Sequence, residues 1–352
     1  MMLDLPSSSL LENVSQLKGK VLLITGGAAG FGKSTALLAA QHGARVVIAD
    51  LKPKLTAETL ADIRKAGGTC TAPDEPVDVT HEDSLRNAFD HCIKEFGQVP
   101  DVVYANAGVA LDDHFEDDYE IAATASQAAQ PGPPRYITTD VNLNGALLTC
   151  ALAQAYWKEH PASPGEGRKR RLAVLSSMGG MTAIPGGTTY STSKSAVLGY
   201  WRDVCVDLQK QGERADFEFY AICPFFAKTR IFKPALLLVL AGIPLVPVPL
   251  IGQTLVHIAV RDTPLSAPPG GVIILPDHGD PAMGTPTEYD PLSPAWTATM
   301  HARCFKTDDW KKVKAWKRIW RDVAANYYGT SSLGLVIRAV LVSFARSARE
   351  TP

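Results

Sequence analysis

The fold is decided by Val21-Leu22-Leu23-Ile24-Thr25-Gly26-Gly27-Ala28-Ala29-Gly30-Phe31-Gly32, an apolar run that breaks into a glycine-rich turn. Residues 33–41 follow, and their alanine-rich sequence has helical character. This order predicts a buried strand, a tight loop and a helix. Glycines let the backbone approach a ligand closely, and a helix N-terminus offers unpaired N–H groups and the positive end of the helix dipole. The stretch therefore predicts a binding loop for phosphate groups.

A second strand supports this interpretation and adds an acid. Residues 45–49 form another β-branched run, which ends at Asp50. At that position an acid accepts hydrogen bonds from the adenosine ribose hydroxyls and repels a 2′-phosphate. The glycine spacing, Gly-x-x-x-Gly-x-Gly, differs from the commoner Gly-x-Gly-x-x-Gly, but its place between two strands favours a dinucleotide site. Asp50 thus predicts NAD, and Lys52 keeps NADP as a less favoured alternative.

Further along the chain, Tyr190 and Lys194 stand four residues apart, and a strand-like run ends at Ser176-Ser177 before them. On a helix this spacing places both side chains on one face. A free phenol has a pKa of about 10 and accepts protons poorly near neutrality, whereas a cation within a few ångströms lowers that pKa. Such a pair can also stand idle on a helix surface. Its combination with the phosphate loop favours an acid/base catalyst.

Taken together, these motifs resemble the short-chain dehydrogenase/reductase family, single-domain branch, over about residues 17–276. Thr25 to Gly32 is similar to the family's Thr-Gly-x-x-x-Gly-x-Gly, and Ala105 to Gly108 is similar to its Asn-Asn-Ala-Gly. The resemblance implies that the catalytic residues are Asn142, Ser177, Tyr190 and Lys194. It implies that the cofactor-binding residues are Thr25, Gly26, Gly30, Phe31, Gly32, Asp50, Asp78, Val79, Asn106, Tyr190, Lys194, Pro224 and Thr229.

The resemblance also implies a role for each catalytic residue. Ser177 would hydrogen-bond the oxygen of the alcohol or carbonyl, and Tyr190 would exchange its proton. Lys194 would lower the Tyr190 pKa and hold the nicotinamide ribose, while Asn142 would position a water that links Lys194 to solvent. The reaction is then the reversible interconversion of an alcohol and a ketone, with the hydride carried by the nicotinamide cofactor.

Two substitutions depart from the family pattern. Ala105 replaces the first asparagine of Asn-Asn-Ala-Gly, which would weaken a strand-stabilising hydrogen bond, whereas Asn106 is kept. Phe225 replaces the glycine of the family's Pro-Gly, although Pro224 and Thr229 are both present. A proline followed by a bulky aromatic resembles a fungal subgroup that is similar to hydroxyprostaglandin-type dehydrogenases.

The order of the predicted elements indicates an α/β fold. Strands alternate with helical stretches, which is typical of a Rossmann-type, doubly wound parallel sheet of about seven strands. Residues 1–276 are predicted to form the catalytic domain, with a lid at about 225–262, and residues 277–352 a linker and a basic, amphipathic, helical C-terminal extension. The predicted strands are 21–25, 45–49, 70–77, 101–104, 171–176, 217–223 and 271–275.

The segment Pro234–Gly252 carries no charge and nearly reaches the length of a membrane span. Pro244, Pro247 and Pro249 interrupt any single helix across it. Its place between the sixth and seventh predicted strands favours a substrate lid, with interfacial membrane contact as the alternative. An apolar lid with Phe225 at its root would enclose a lipophilic small-molecule substrate.

Composition disfavours several classes of partner. A formal net charge of −1 gives no reason to expect nucleic acid, and six cysteines without metal-ligand spacing predict free thiols and no metal site. Residues 1–19 do not read as a secretory signal, so a cytoplasmic location is expected. An acidic run at 112–118 indicates a solvated surface insertion.

The C-terminal tail offers two further partners. From Asp308 onward, tryptophans are interleaved with Lys and Arg. Such a segment can dock on the core or on a neighbouring subunit, or it can make peripheral contact with an anionic membrane. The family resemblance, for its part, implies a homo-oligomer.

The sequence therefore predicts an NAD-dependent oxidoreductase that interconverts a lipophilic secondary alcohol and its ketone, in secondary-metabolite, steroid or lipid metabolism. An NADP-dependent ketoreductase is one alternative. A non-catalytic dinucleotide-binding or membrane-associated interaction protein is an alternative of another class, which the intact set of Ser177, Tyr190 and Lys194 disfavours.

Overall fold

A mostly parallel sheet forms the centre of the protein in the computed structural model, which describes residues 3–110, 137–162, 170–181, 188–231, 245–262, 267–276 and 282–284. Its strands are β1 (Leu3–Asp4), β2 (Val21–Thr25), β3 (Arg45–Ala49), β4 (Thr69–Thr71), β5 (Val102–Ala105), β6 (Arg170–Leu175), β7 (Phe217–Pro224), β8 (Gly270–Leu275) and β9 (Ala282–Gly284). Seven of them run parallel in the order β4-β3-β2-β5-β6-β7-β8, and β9 and β1 continue the β8 edge antiparallel. The predicted Rossmann-type fold is confirmed.

The helices cover both faces of this sheet. They are α1 (Gly30–Gln41), α2 (Pro53–Lys65), α3 (Glu82–Phe96), α4 (Ala146–Glu159), α5 (Thr188–Gln211) and α6 (Val248–Val260). Helix α1 contacts α2 and α6, whereas α4 contacts α3 and α5. A helical turn, Ile137–Thr139, and a π-helical turn, Asp140–Gly145, lead into α4. Two helical layers thus enclose the sheet, as a doubly wound fold requires.

The central strands read as unbroken apolar runs because helices bury both of their faces. Residues 21–24 of β2 and 46–49 of β3 are fully removed from solvent. A parallel sheet covered on both sides has no solvated face, so its strands show no alternation of polar and apolar residues. This is why the two strands that flank the glycine loop were recognisable from sequence.

Strand β4 is shorter than the predicted run of 70–77. It ends at Thr71, and Pro73 and Pro76 follow. Proline cannot donate a ladder hydrogen bond, so the chain leaves the sheet at this point. It returns beside β3 only where the Val77 N–H donates to the Asp50 carbonyl at 3.0 Å. The predicted strand was therefore too long.

The N-terminal segment is part of the same compact unit as the sheet. Strand β1 pairs antiparallel with β9, and Leu10 and Leu17 are fully buried. His257 of α6 lies with its Nδ1 3.3 Å from the Leu10 carbonyl oxygen, and burial lowers the pKa of that imidazole. Strand β9 also shows that the sheet continues past the predicted domain boundary at residue 276.

The predicted lid, 225–262, contains a packed core helix. Ile251, Leu255 and Ile258 of α6 are fully buried, and the Tyr104 hydroxyl donates to the Leu255 carbonyl at 2.6 Å. The helix forms despite its prolines because these lie at the N-cap and in the first turn, where no N–H donor is needed. The last part of the predicted lid segment is thus a buried helix, and the lid itself stays a prediction.

A buried charged cluster fixes the C-terminal end of α6. Arg171 of β6 forms an ion pair with Glu218 of β7, with 3.0 Å between Nε and Oε2, and donates to the Arg261 carbonyl at 2.9 Å. The Tyr220 hydroxyl donates to the same carboxylate at 2.7 Å, and burial, with that carboxylate, raises the Tyr220 pKa to about 12. These bonds hold the end of the helix to two central strands.

The contact between α6 and α1 can be tested at Gly252. An ideal Cβ on Gly252 would lie 2.6 Å from Ser34 Oγ and 3.2 Å from Ser34 Cβ. Gly252→Ala is therefore expected to destabilise the protein by about 2 kcal/mol through overpacking, measured by urea unfolding. The matched control is Gly199→Ala in α5, where nothing lies within 4 Å of the added methyl. That control should gain stability because alanine favours a helix, and equal effects of the two substitutions would contradict the packing described here.

Several predictions fall outside the described residues. These are the acidic run at 112–118, the apolar stretch 232–244 and the Trp-bearing tail with its proposed docking or membrane contact. The homo-oligomer and the cytoplasmic location also stay predictions. Across the described ranges, no helix combines the length and apolar character that crossing a membrane requires.

Candidate active site

The end of β6 and the start of α5 bring Ser177 and Tyr190 together. Ser177 opens a 3-10 turn, Met178–Gly180, in which its Oγ accepts a hydrogen bond from the Gly179 N–H at 3.0 Å. Its hydroxyl also hydrogen-bonds the Tyr190 phenol. Ser177 is buried, whereas Tyr190 keeps part of its surface exposed. The two hydroxyl groups therefore form one polar pair that a substrate oxygen can reach.

Lys194 lies one turn after Tyr190 and is buried. Its Nζ is 5.8 Å from the centre of the Tyr190 ring and donates to the Leu175 carbonyl at 2.7 Å. Burial lowers the pKa of Lys194 to about 8, because a charged amine loses its hydration there. The predicted arrangement of Tyr190 and Lys194 on one helix face is present, with the amine held by the strand end.

The expected lowering of the Tyr190 pKa is not found in the protein alone. Desolvation raises the pKa of the phenol above its ordinary value, and the hydrogen bond from Ser177 only partly opposes this. Cys223, which lies nearby, acts in the same direction as desolvation. Desolvation therefore decides the direction of the Tyr190 pKa shift.

Asn142 lies in the π-helical turn, with its side chain fully buried. Its Oδ1 accepts from the Val109 N–H at 2.8 Å, and its Nδ2 donates to the Val109 carbonyl at 2.9 Å. The same Nδ2 lies 3.4 Å from Ser193 Oγ in α5. Such π-helical turns are frequent at functional sites. Asn142 thus ties the turn after β5 to the catalytic helix, and its role in positioning a water stays a prediction.

Gly108 is the point at which Asn142 and Lys194 approach each other. An ideal Cβ on Gly108 would lie 3.2 Å from Asn142 Oδ1 and 3.6 Å from Lys194 Nζ. A side chain here would therefore press on Asn142 and touch Lys194. This explains in physical terms why a glycine follows Asn106-Ala107.

Backbone conformation or close packing explains each predicted glycine of the loop after β2. Gly26 and Gly30 have φ of 63° and 53°, which favours residues without a Cβ. A Cβ on Gly26 would lie 2.8 Å from the Ala107 Cα, and one on Gly32 would lie 2.4 Å from the Gly26 carbonyl oxygen. Backbone conformation thus favours glycine at 26 and 30, and close packing requires it at 26 and 32.

Asn106 and Thr25 hold this loop to the end of β5. Asn106 Nδ2 donates to the Thr25 and Gly26 carbonyls at 2.9 Å and 3.1 Å. The Thr25 hydroxyl donates to the Tyr104 carbonyl at 3.2 Å and accepts from the N–H groups of Asn106 and Ala107. Both side chains thus shape the loop through backbone contacts, and their direct contact with a cofactor stays a prediction.

Asp50 lies at the carboxyl end of β3, facing the glycine loop. Its Oδ2 accepts from the Ala28 N–H at 3.0 Å, and its Oδ1 accepts from the Lys52 N–H at 3.0 Å. The backbone therefore fixes both carboxylate oxygens, while the Lys52 residue is exposed. A negative group is held where the predicted ribose contact requires one.

Asp78 and Val79 lie after β4, away from the glycine loop in sequence. The Asp78 carboxylate accepts from the Thr80 N–H and hydroxyl at 2.9 Å and 2.7 Å. Desolvation tends to raise the Asp78 pKa, but these bonds and the nearby His81 outweigh it and hold the pKa below its ordinary value. Val79 is buried, and its Cγ2 would be 2.6 Å from a Cβ on Gly145. Val79 thus packs on the π-helical turn, and the adenine contact stays a prediction.

The segment after β7 approaches the glycine loop from the other side. The Thr229 side chain lies 3.6 Å from the position that a Cβ on Gly30 would take. Pro224 is the buried last residue of β7, and the Phe225 and Phe226 rings pack edge to face with 5.0 Å between their centres. Phe31 packs partly buried against the apolar core. Thr229 thus lies next to the glycine loop, and its contact with a cofactor stays a prediction.

These groups fit a dinucleotide. Positive-φ glycines at a helix N-terminus leave backbone N–H groups for a pyrophosphate, and Asp50 supplies the acceptor for a ribose. Ser177 follows the carboxyl end of β6, and Lys194 donates to Leu175, the last residue of that strand, at the sheet edge where ligands bind in open α/β folds. Within the described ranges, no three His, Cys, Asp or Glu side chains are grouped to hold a metal ion.

A comparison with known families decides the assignment. The family described as short chain dehydrogenase matches residues 20–236, more than half of the chain. The chain belongs to this family. The short-chain dehydrogenases are NAD(P)-dependent oxidoreductases, and this protein is an enzyme of that class acting on CH–OH groups.

Individual relatives agree with the family. Secoisolariciresinol dehydrogenase of Forsythia intermedia is 31% identical over 64% of this chain and 73% of its own length. Xanthoxin dehydrogenase of Arabidopsis thaliana is 31% identical over 65% and 70%, and 5′-hydroxyaverantin dehydrogenase of Dothistroma septosporum is 30% identical over 63% and 72%. A crystal structure of a short-chain type dehydrogenase/reductase from Mycobacterium marinum, 23% identical, superposes with a TM-score of 0.61 over 76% of this chain and 97% of its own, which supports the fold.

Sequence reasoning missed two supporting residues. Ser193 Oγ donates to the Tyr190 carbonyl at 2.7 Å and also accepts a hydrogen bond from Asn142 Nδ2. Ser176 Oγ donates to the Lys194 carbonyl at 2.9 Å. The signals were present, since both serines adjoin residues of the motif, but hydroxyl orientation depends on how α5 packs against the strand end. These contacts could not be inferred from spacing.

Proposed function

We propose that this short-chain dehydrogenase interconverts a lipophilic secondary alcohol and its ketone with NAD. The observation that carries the proposal is the hydrogen-bonded Ser177–Tyr190 pair, with the Lys194 amine 5.8 Å from the phenol ring, beside a glycine loop fixed to Asp50. These groups provide acid/base chemistry next to a dinucleotide site. The nicotinamide, when bound, supplies or accepts the hydride.

The protein's own groups manage the proton. During oxidation, the Tyr190 Oη takes the proton of the alcohol, and during reduction it returns that proton to the carbonyl oxygen. The Ser177 hydroxyl, already oriented by the Gly179 N–H, hydrogen-bonds the same oxygen and stabilises its partial charge. Since burial raises the Tyr190 pKa, the phenol needs a nearby cation to act as a base.

Lys194 is suited to supply that cation. With a pKa of about 8, its amine is charged at pH 7 in a ratio of about ten to one. Its bond to the Leu175 carbonyl holds it one helical turn from Tyr190. A lysine with this pKa remains positive at neutrality, yet carries less hydration than an exposed amine.

The lipophilic character of the substrate rests on the apolar surroundings of the site. Phe225 and Phe226 follow β7 directly, and their rings pack against each other beside Thr229. Residues in this region can remove an apolar substrate from water. The names of the matched relatives denote dehydrogenases of plants and fungi, and homologues in secondary metabolism support the same class of compound. The finer similarity to fungal hydroxyprostaglandin-type dehydrogenases rests on Pro224-Phe225 alone.

Activity is tested by a substrate screen. The purified protein is mixed with NAD and a panel of steroid, polyketide and fatty alcohols, and formation of the reduced cofactor is followed by absorbance. Turnover of an apolar secondary alcohol in preference to sugars and small hydroxy acids is expected. Tight cofactor binding without turnover of any alcohol or ketone would instead favour the non-catalytic dinucleotide-binding alternative.

Cofactor choice is expected to depend on Asp50. Two unit charges at about 4 Å repel by roughly 1–4 kcal/mol at dielectric constants between water and a protein surface. The ratio of kcat/KM for NAD over NADP should therefore be about tenfold or more, and Asp50→Asn should reduce it. The control is Asp62→Asn in α2. It removes a carboxylate that pairs with Lys33 of α1 and should leave the ratio of NAD to NADP use unchanged. Equal use of both cofactors by the wild type would favour the NADP-dependent ketoreductase, with Lys52 as the phosphate partner.

A further inference from the structure

Lys194 is attached to the end of β6 at two points. Its Nζ donates to the Leu175 carbonyl at 2.7 Å, and its own backbone carbonyl accepts from the Ser176 hydroxyl at 2.9 Å. Leu175 and Ser176 are consecutive, so one dipeptide holds both the amine and the backbone of the same lysine. Ser176 is buried. The hydroxyl therefore has little access to water as an alternative partner.

Gly180 packs against both Ser176 and the backbone of Lys194. An ideal Cβ on Gly180 would lie 2.7 Å from the Lys194 carbonyl oxygen and 2.8 Å from Ser176 Oγ. The Ser195 hydroxyl donates to the Gly180 carbonyl at 2.8 Å. We call this contact, made by Ser176, Gly180, Lys194 and Ser195, the strand–helix seam. A side chain at position 180 would not fit between Ser176 and the Lys194 carbonyl.

The bond from Ser176 is not needed to satisfy the helix. Lys194 lies inside α5, where a backbone carbonyl ordinarily accepts from the N–H four residues later. Ser176 therefore uses the second lone pair of an oxygen that has a partner by virtue of its place in the helix. Its effect is on position: it sets the distance between the strand end that carries Ser177 and the helix that carries Tyr190 and Lys194.

We propose that Ser176 is a positioning residue of the hydride-transfer reaction, acting through the strand–helix seam to fix Lys194 relative to Tyr190 and Ser177. The inference rests on the proposed function. A displacement of about 1 Å at a catalytic group can cost about a hundredfold in rate. The seam fixes such distances without touching the substrate.

The first test is Ser176→Ala. Its kcat per folded protein is expected to fall by about tenfold to a hundredfold, and its affinity for NAD, measured by fluorescence titration, should also weaken because Lys194 is the predicted ribose contact. The matched control is Thr254→Val in α6, which removes another buried hydroxyl that donates to a carbonyl, that of Leu250 at 2.9 Å. The control should lose stability with kcat and NAD affinity unchanged.

The second test uses Gly180→Ala, which retains the Ser176 hydroxyl but forces the seam apart. It should show the same loss of kcat. In the double variant Ser176→Ala/Gly180→Ala, the missing Ser176 oxygen relieves one close contact of the added methyl, whereas the contact with the Lys194 carbonyl remains, so both substitutions disturb the same seam. The combined loss should therefore be smaller than the product of the two single losses.

A third measurement separates positioning from a general loss of structure. Opening the seam lets water reach the Lys194 amine, whose pKa should rise from about 8 toward its ordinary value. The alkaline limb of the kcat/KM profile, where activity falls as the ammonium loses its proton, should move to higher pH in both single variants. It should not move in Thr254→Val.

The outcomes are distinct. A kcat for Ser176→Ala within twofold of wild type, single losses that multiply in the double variant, or an unshifted pH profile would each overturn the seam proposal. If the wild type turns over no alcohol, the proposed function fails, and the seam is judged by NAD affinity alone. Unchanged affinity in Ser176→Ala would then reject it.

Discussion

Replacing Tyr190 with phenylalanine is expected to lower kcat by about 10²–10⁴-fold while the folded protein still binds NAD. The substitution removes only the oxygen that exchanges the substrate proton, and proton transfer by a positioned side chain contributes about this much to catalysis. The ring stays in place, so the contact with the Lys194 amine, 5.8 Å from its centre, is retained. Steady-state rates and a fluorescence titration with NAD measure the two quantities separately.

The control for this experiment is Tyr200→Phe in the same helix. The Tyr200 hydroxyl accepts a hydrogen bond from Gln154 Nε2 at 3.3 Å, and burial raises the Tyr200 pKa to about 12. It is a partly buried phenol of α5 with a polar partner but no catalytic neighbour. Its loss should leave kcat nearly unchanged. Full activity of Tyr190→Phe would reject Tyr190 as the acid/base group.

Replacing Lys194 with methionine is expected to abolish efficient turnover and yet stabilise the fold near neutral pH. Burial lowers the amine pKa from 10.5 to about 8, so the native state binds the proton less tightly than the unfolded state. That difference corresponds to at most about 3 kcal/mol of destabilisation below pH 8. Methionine has a similar shape and carries no charge, so the variant avoids this cost.

The sign of the pH dependence follows from the same linkage. Between about pH 8 and 10.5, the unfolded lysine still binds a proton that the native lysine has released, so the wild type gains stability on this account as pH rises. The advantage of Lys194→Met should therefore shrink over this interval. Buried thiols such as Cys92 and Cys150, whose pKa values burial raises, affect both proteins equally and cancel in the difference.

Urea unfolding of both proteins at several pH values from 7 to 10.5 measures this difference. A matched comparison is Lys210→Met at the exposed end of α5, where the amine pairs with Asp207 at the surface. That variant should show no comparable gain. A constant difference between Lys194→Met and wild type across the whole pH range would show that Lys194 is not buried as described.

The sequence predicted the sheet and the shared helix face of Tyr190 and Lys194 because both leave local signals. Residues 21–24 are buried on both faces and read as one apolar run, and the glycines of the loop are demanded by close backbone contacts. Tyr190 and Lys194 share a helix face by spacing alone. Each of these features is fixed by residues near one another in the chain, so periodicity and composition carry the information.

Other features depend on contacts that no local pattern contains. Strand β1 has two residues, too few for any alternation, and its partner β9 lies far along the chain. Pro247 and Pro249 argued against a helix at α6 in the sequence. They do not disrupt it because they lie at the helix start, where no N–H donor is needed. The direction of the Tyr190 pKa depends on desolvation, which is a property of the packed site. A motif identifies the residues but not the environment that sets their acidity.

The π-helical turn at Asp140–Gly145 has a consequence for chain length. Each such turn accommodates one more residue than a regular α-helix, and one residue corresponds to a rotation of about 100° around the helix axis. Deleting a single residue here would let 137–159 form a regular helix while α4 kept its packing against α3 and α5. The part before the deletion would then turn, and Asn142 would leave the contact with Val109. Insertions and deletions in this short stretch are therefore expected to displace Asn142, even where they would preserve every predicted site residue.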